Sequence, residues 1–91
     1  MYKVFATAKF KRDLRLAIKR GYNTALMDAV VSTLAEGKSL AEKHKDHPLK
    51  GEFEGCRECH ITTDWLLIYE IANDELILYL LRTGTHSDLF R

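Results

Sequence analysis

Ninety-one residues, 46% of them hydrophobic and 30% charged, suffice for one hydrophobic core but not two, so a two-domain enzyme is excluded and residues 1–91 are expected to form one domain. Fourteen Lys and Arg against thirteen Asp and Glu leave a formal charge of +1, which argues against a surface that is basic all round. That balance conceals a split: residues 1–50 hold eleven Lys or Arg against five Asp or Glu, net +6, and residues 51–91 hold three against eight, net −5. The N-terminal half can therefore present a basic face.

The longest apolar stretches, such as Trp65–Tyr69 and Leu76–Leu81, fall far short of the roughly 20 residues of a membrane helix. Lys3, Lys9, Lys11 and Arg12 follow Met1 with no apolar segment or cleavage site of a secretory signal among them. A cytoplasmic protein without membrane contact is expected. In a reducing compartment its two cysteines are thiols or metal ligands rather than a structural disulfide.

Tyr2–Ala6 has the aromatic and β-branched composition of a short strand. Thr7 then offers an N-cap to a helix in which Phe10, Leu14, Ala17 and Ile18 recur at helical spacing, with Lys11, Arg12, Arg15 and Lys19 on the other face, up to a stop at Gly21. Asn23 can cap a second helix carrying Met27, Val30, Val31 and Leu34, with Gly37 as its terminator. The short link between the two predicts an antiparallel helical hairpin. Lys38–Gly51, polar and holding the only proline, Pro48, is expected to be a loop. Phe53–Ile61, Trp65–Ile71 and Leu76–Arg82 are predicted strands, the last two joined by a turn at Asn73 and Asp74. Both parities of Trp65–Ile71 are mostly apolar, which places it centrally in its sheet. The order β-α-α-β-β-β predicts an α+β fold, with the helical hairpin packed on a small, mainly antiparallel four-stranded sheet.

Three of the four histidines, His47, His60 and His86, stand beside polar residues in loops or at strand ends. Cleaving RNA without a metal needs a base for the 2′-OH proton, an acid for the leaving 5′-oxygen and a cation beside the phosphorane. Imidazole fills both proton roles near neutral pH, and guanidinium matches phosphate oxygens in bidentate fashion. His47, His60, Asp64, Arg82 and His86 supply that inventory if the fold gathers them.

The runs Lys45-Asp46-His47-Pro48-Leu49-Lys50-Gly51, Arg57-Glu58-Cys59-His60, Asp64-Trp65-Leu66-Leu67-Ile68-Tyr69 and Arg82-Thr83-Gly84-Thr85-His86-Ser87-Asp88-Leu89-Phe90 resemble the YafQ-type branch of the RelE/ParE toxin superfamily, whose RelE-like fold has the same element order. The resemblance implies a type II toxin that cuts mRNA in the 30S decoding site of the translating ribosome, by metal-free 2′-OH attack giving 2′,3′-cyclic phosphate and 5′-OH ends. It implies His47, His60, Asp64, Arg82 and His86 as active-site residues, with His86 as general acid and Arg82 as phosphorane stabiliser. His60, Asp64 and His47 remain alternatives for the base. Phe90 is implied to position a nucleobase by stacking, and Lys45, Lys50 and Arg57 to contact the RNA. Glu58 stands where relatives often carry Asp, and its part in the site is left open. No cofactor or metal is implied. The implied partners are the ribosome, mRNA and a small, ribbon-helix-helix, DinJ/RelB-like antitoxin, with DNA met only through the antitoxin complex. Lys9, Lys11, Arg12, Arg15, Lys19, Arg20 and Lys43 would add electrostatic contacts to ribosomal RNA.

Three rival readings remain. Cys56-Arg57-Glu58-Cys59-His60 matches the c-type haem signature, but that attachment belongs to exported proteins. His44 and His47 with Cys56 and Cys59 have the spacing of a zinc site, yet positions i and i+3 of a strand point to opposite faces. The ParE-like branch of the superfamily inhibits DNA gyrase by binding, which needs no such set of histidines.

Overall fold

The computed structural model describes residues 1–90 as a five-stranded mixed sheet with helices. In chain order the elements are β1 (Lys3–Ala6), α1 (Ala8–Lys19), α2 (Thr24–Ala35), β2 (His47–Pro48), β3 (Arg57–Thr62), β4 (Trp65–Ala72), β5 (Ile77–Gly84) and α3 (His86–Phe90). The strand order is β1-β5-β4-β3-β2; β1 runs parallel to β5 and every other pairing is antiparallel. β4 lies at the centre, as its doubly apolar pattern predicts, and Trp65 to Tyr69 are all buried.

Both predicted helix caps form. The Thr7 hydroxyl accepts from the Phe10 amide at 3.1 Å, and the Asn23 carboxamide oxygen from the Ala25 amide at 3.0 Å. Phe10 and Ala17 of α1 and Met27, Val30 and Leu34 of α2 close over Cys59, Ile61, Trp65, Leu67, Tyr69, Leu78 and Leu80 to make the main core. Alternation then sends the intervening strand residues to the other face. There Leu66, Ile68 and Leu89 form a second, smaller core with Leu49, Phe53, Cys56 and Leu81.

The sheet departs from the expected four strands at its edge. His47–Pro48, expected within a loop, forms a two-residue strand against Arg57 and Glu58, and Leu49 N–H closes the return by donating to Cys56 O at 2.9 Å. A strand this short that contains proline carries no alternation, and its edge position is what lets proline fit. β3 begins at Arg57 rather than Phe53, because Gly51–Phe53 is a 3-10 turn and Gly55 has φ +91°, a left-handed conformation that interrupts an extended run. The β4–β5 link spans residues 73–76, with Leu76 at φ +57°, instead of a two-residue turn. β5 runs on to Gly84, and α3 has no counterpart among the predicted elements. Among the described residues no helix is long and apolar enough to cross a membrane.

Candidate active site

The register lays polar residues out in rows on the face away from the helical hairpin. His47 pairs with Glu58, Glu58 with Ile68, and Ile68 with Arg82, which makes one row across four strands. The next row runs from His60 through Leu66 to Gly84, two residues before His86. Neighbouring strands are about 4.8 Å apart, so Glu58 and His60 on β3 stand roughly 10 Å from Arg82 and Gly84 on β5. Leu66 and Ile68 form the apolar floor between them.

Glu58 is the pivot at one end. It is 6% exposed, and its Oε1 lies 3.0 Å from His47 Nε2 and 4.0 Å from His60 Nε2. A buried carboxylate is costly unless paired, and donation from His47 Nε2–H supplies the hydrogen bond. His60 Nδ1 lies 3.2 Å from Thr63 O. Donation from Nδ1–H to that carbonyl fixes the tautomer that leaves a lone pair on Nε2. His44, outside the predicted set, has its Nδ1 2.6 Å from His60 O and ties the preceding loop to β3.

At the other end Arg82 is fixed by an acid on α1. β1 stops at Ala6, opposite Leu80, and leaves the rest of the β5 edge open. The start of α1 fills that edge: Thr7 N–H donates to Leu80 O, the Thr7 hydroxyl to Leu81 O, and Thr83 N–H to Asp13 Oδ2 at 3.1 Å. Asp13 also accepts Arg82 Nε–H at 2.7 Å and Nη2–H at 3.2 Å. This bidentate partner raises the Arg82 guanidinium further above its ordinary value.

His86 opens α3 and is exposed, with its backbone N–H donating to Asp64 Oδ1 at 3.3 Å. Asp64 is therefore at the α3 end of the site, away from Glu58. The Phe90 ring lies 5.1 Å from the His86 ring and 6.0 Å, edge-on, from Phe53. Leu89 is the α3 residue that enters the core, while Phe90 remains 36% exposed. Asp88 and Thr85 cap α3 reciprocally, Thr85 N–H to Asp88 Oδ2 at 2.9 Å and Asp88 N–H to Thr85 Oγ at 3.1 Å. Arg20 binds the same carboxylate at 2.7 and 3.3 Å, which drives Asp88 far below the usual carboxylate range.

The sheet thus gathers His47, Glu58, His60 and Arg82, with His86, Asp64 and Phe90 at its α3 end. Lys45 and Lys50 are exposed in the segments flanking β2. Arg57 does not join them. It pairs with Tyr69 in the register of the main-core face and donates to Asp46 Oδ1 at 3.2 Å, where Tyr69 O–H also donates at 2.7 Å. The zinc reading meets a geometric obstacle: Cys59 is in the main core and Cys56 in the second core, on opposite faces. Among the described residues no three His, Cys, Asp or Glu are grouped to hold a metal. Asp13, Arg20 and Asp88 escaped the sequence reading, although Asp13 is the only acid in α1 and Thr85-x-x-Asp88 has the spacing of a cap.

The α+β scaffold that carries these residues is shared with bacterial toxins of known structure. The crystal structure of a metal-bound toxin from Helicobacter pylori superposes with a TM-score of 0.93 at 44% identity, over 99% of this chain and 100% of that one. YafQ in the Escherichia coli DinJ–YafQ complex superposes at 0.91 and 32% identity over the whole of both chains. Residues 2–91 match the family described as bacterial toxin of type II toxin–antitoxin system, YafQ, and the chain belongs to that family. Its curated relatives include the mRNA interferase toxin YafQ of Escherichia coli K12, an endoribonuclease, 35% identical over 85 residues covering 92% of this chain and 90% of the relative.

Proposed function

We propose that this chain is the toxin of a type II toxin–antitoxin pair and cuts mRNA on the translating ribosome, without a metal, leaving 2′,3′-cyclic phosphate and 5′-OH ends. The observation that carries the reading is the pair of rows that sets His60, backed by buried Glu58, about 10 Å across an apolar floor from Arg82 and the His86 turn. Base and acid on opposite sides of a phosphodiester, with a cation beside it, suit in-line displacement.

His60 Nε2 takes the 2′-OH proton, the 2′-oxygen attacks phosphorus, and the P–O5′ bond breaks as the His86 imidazolium protonates the leaving oxygen. The imidazolium formed at His60 then stands 4.0 Å from the Glu58 carboxylate, which stabilises it. Arg82, held from behind by Asp13, presents its remaining N–H groups to the phosphorane oxygens. Asp64 is occupied with the His86 amide, and this favours a supporting role over that of base. His47 shares Glu58 and orients it. The half-exposed Phe90 ring beside His86 is placed to stack on a base, worth about 1–3 kcal/mol in single-stranded sites. Lys45 and Lys50 contact the RNA backbone, and Arg57, engaged by Asp46, braces β3.

A site this small recognises no long sequence, so the ribosome supplies substrate placement, and the reaction belongs in the cytoplasm. The partner is an antitoxin of the DinJ kind, with which the Escherichia coli relative is crystallised. Primer extension on a reporter mRNA after expression of the chain tests the reading. Ribosome-dependent cuts within codons support it, and intact mRNA with damaged DNA rejects it in favour of a gyrase inhibitor. His86→Ala should abolish cutting while antitoxin binding persists.

A further inference from the structure

Asp13 and Arg20 lie seven residues apart, two helical turns or about 10 Å, on the same side of α1 and its C-cap. Each reaches a residue of the β5–α3 segment: Asp13 holds Arg82 at 2.7 Å, and Arg20 holds Asp88 at 2.7 Å. The polarity is crossed, acid to base at one end and base to acid at the other, so only one register of helix on strand satisfies both pairs. A hollow of about 190 Å³, lined by both pairs together with Leu16, Ala17, Tyr22, Thr83 and Gly84, lies alongside. Close packing does not fill that space, and the ion pairs bridge it. Both are partly shielded, with side-chain exposures of 35% and 23% for Arg20 and Asp88 and 25% and 18% for Arg82 and Asp13. Neither contact is a generic surface pair, since each acid also accepts a backbone N–H of the β5–α3 segment, Asp13 that of Thr83 and Asp88 that of Thr85.

We propose that Asp13 and Arg20 are positioning residues for RNA cleavage, which from α1 fix the separation and orientation of Arg82 and the His86 turn so that both address one phosphate. The inference rests on the cleavage reading above. Neither residue touches the reacting atoms: Asp13 aims the guanidinium, and Arg20 acts through Asp88 on the turn that carries His86. Their loss is therefore read in the chemical step more than in binding.

The test is single-turnover cleavage of mRNA on purified programmed ribosomes, as a function of toxin concentration, with Asp13→Ala, Arg20→Gln and the conservative Asp13→Glu and Arg20→Lys. The saturating rate is expected to fall on the order of 10- to 100-fold in the first two, as for a reacting group misplaced by up to about 1 Å. The half-saturation concentration should change little, and the conservative variants should recover part of the rate. A purely structural role would instead lower the melting temperature and the active fraction, leaving the rate per folded molecule at the wild-type value. Should Asp13→Ala not fold, Asp13→Asn, which still accepts from Thr83, carries the test. Arg20→Gln combined with Asp88→Asn should lose no more than the worse single variant, because one tie is cut twice. Folded Asp13→Ala and Arg20→Gln proteins that cleave at the wild-type saturating rate overturn the inference alone. A wild-type protein that does not cleave overturns the cleavage reading and the inference with it.

Discussion

A methyl group added at Gly84 probes a crowded point of the site. A Cβ there would lie 3.0 Å from both Cβ and Oδ2 of Asp88 and 3.4 Å from its Cγ. Carbon contacts settle at about 3.5–4.0 Å, so Asp88 must withdraw by about 0.5–1 Å. It has little freedom to do so: Oδ2 is engaged by Arg20 and the Thr85 amide, and the Asp88 amide by the Thr85 hydroxyl. Relief on the other side would pull Gly84 from its partner Leu66 in the centre of the sheet. Overpacking of this kind costs about 1–3 kcal/mol. At roughly 4–8 °C per kcal/mol for a domain of this size, Gly84→Ala should melt about 4–24 °C below the wild type. Because the displaced turn carries His86 and Phe90, the single-turnover cleavage rate, measured well below both melting temperatures, should fall by up to about 100-fold. Gly84→Ala combined with Asp88→Ala removes the contacts with Oδ2 and Cγ and the bonds that hold the carboxylate, leaving the remaining Cβ freer to withdraw, so the double variant should lose less than the sum of the two single losses in melting temperature. A Gly84→Ala protein with wild-type melting and wild-type cleavage would refute the claim that the Asp88 carboxylate is rigidly held.

Three further outcomes follow from the same geometry. Glu58→Gln keeps the shape of the pivot but removes the charge that stabilises an imidazolium at His60, so cleavage should drop on the order of 100-fold in single-turnover assays with little change in ribosome binding; an unchanged rate excludes Glu58 from the chemistry. Cys59, fully buried, has its thiol pushed up to about 12 by burial and by the nearby Asp46 and Glu58, whereas Cys56 is only partly buried. An aromatic disulfide reagent at pH 8 should accordingly modify Cys56 first and Cys59 only on unfolding, and equal native rates would contradict the packing. Burial also raises the Tyr69 phenol, helped by its bond to Asp46. The folded chain keeps these two protons while the unfolded chain releases them, the thiol from about pH 9.0 and the phenol from about pH 10.0, so stability is full below pH 9 and declines above it. Urea midpoints at pH 7.5 and 10 check this, and a midpoint that rises at pH 10 contradicts the sign.

The elements legible in the sequence are those that announce themselves by period or cap. The helices begin at Thr7 and Asn23 because each side chain satisfies an amide of the first turn, and β4 shows its central place because Leu66 and Ile68 are as apolar as Leu67 and Tyr69. β2 was invisible for a physical reason: two residues, one of them proline, contain no alternation, and pairing with Arg57 and Glu58 alone defines them as a strand. The same limit applied to the site. Motif resemblance could name His47, His60, Arg82 and His86, but only register shows that Glu58 links two of them and that Arg57, one residue away, faces the other side. The sequence shows Arg20 only as one more cation of a basic helix and gives Asp13 no role, since the partners they meet, Asp88 and Arg82, are 68 and 69 residues distant along the chain.

The division of charge between the two halves takes on a structural meaning once the partners are known. Asp13, Asp46, Glu58 and Asp88 each neutralise a cationic or titratable group at or beside the candidate site, namely Arg82, Arg57, His47 and Arg20. Lys9, Lys11, Arg12, Arg15 and Lys19 on α1, and Lys43, Lys45 and Lys50 around β2, are exposed and take no part in the ion pairs among the described residues. The cations therefore fall into two groups with different physics. Those held by an acid act at contact distance in partly shielded geometry, where salt screens weakly, and their worth lies in orientation. The exposed ones act through a field that decays over about 8 Å at physiological ionic strength and is traded against counterions on the RNA. Added salt should then weaken the encounter with the ribosome while leaving the step at the phosphate nearly untouched. Within the near-neutral sum, therefore, Arg20, Arg57 and Arg82 are aimed by acids, while the exposed cations of α1 and of the segments around β2 are left for capture.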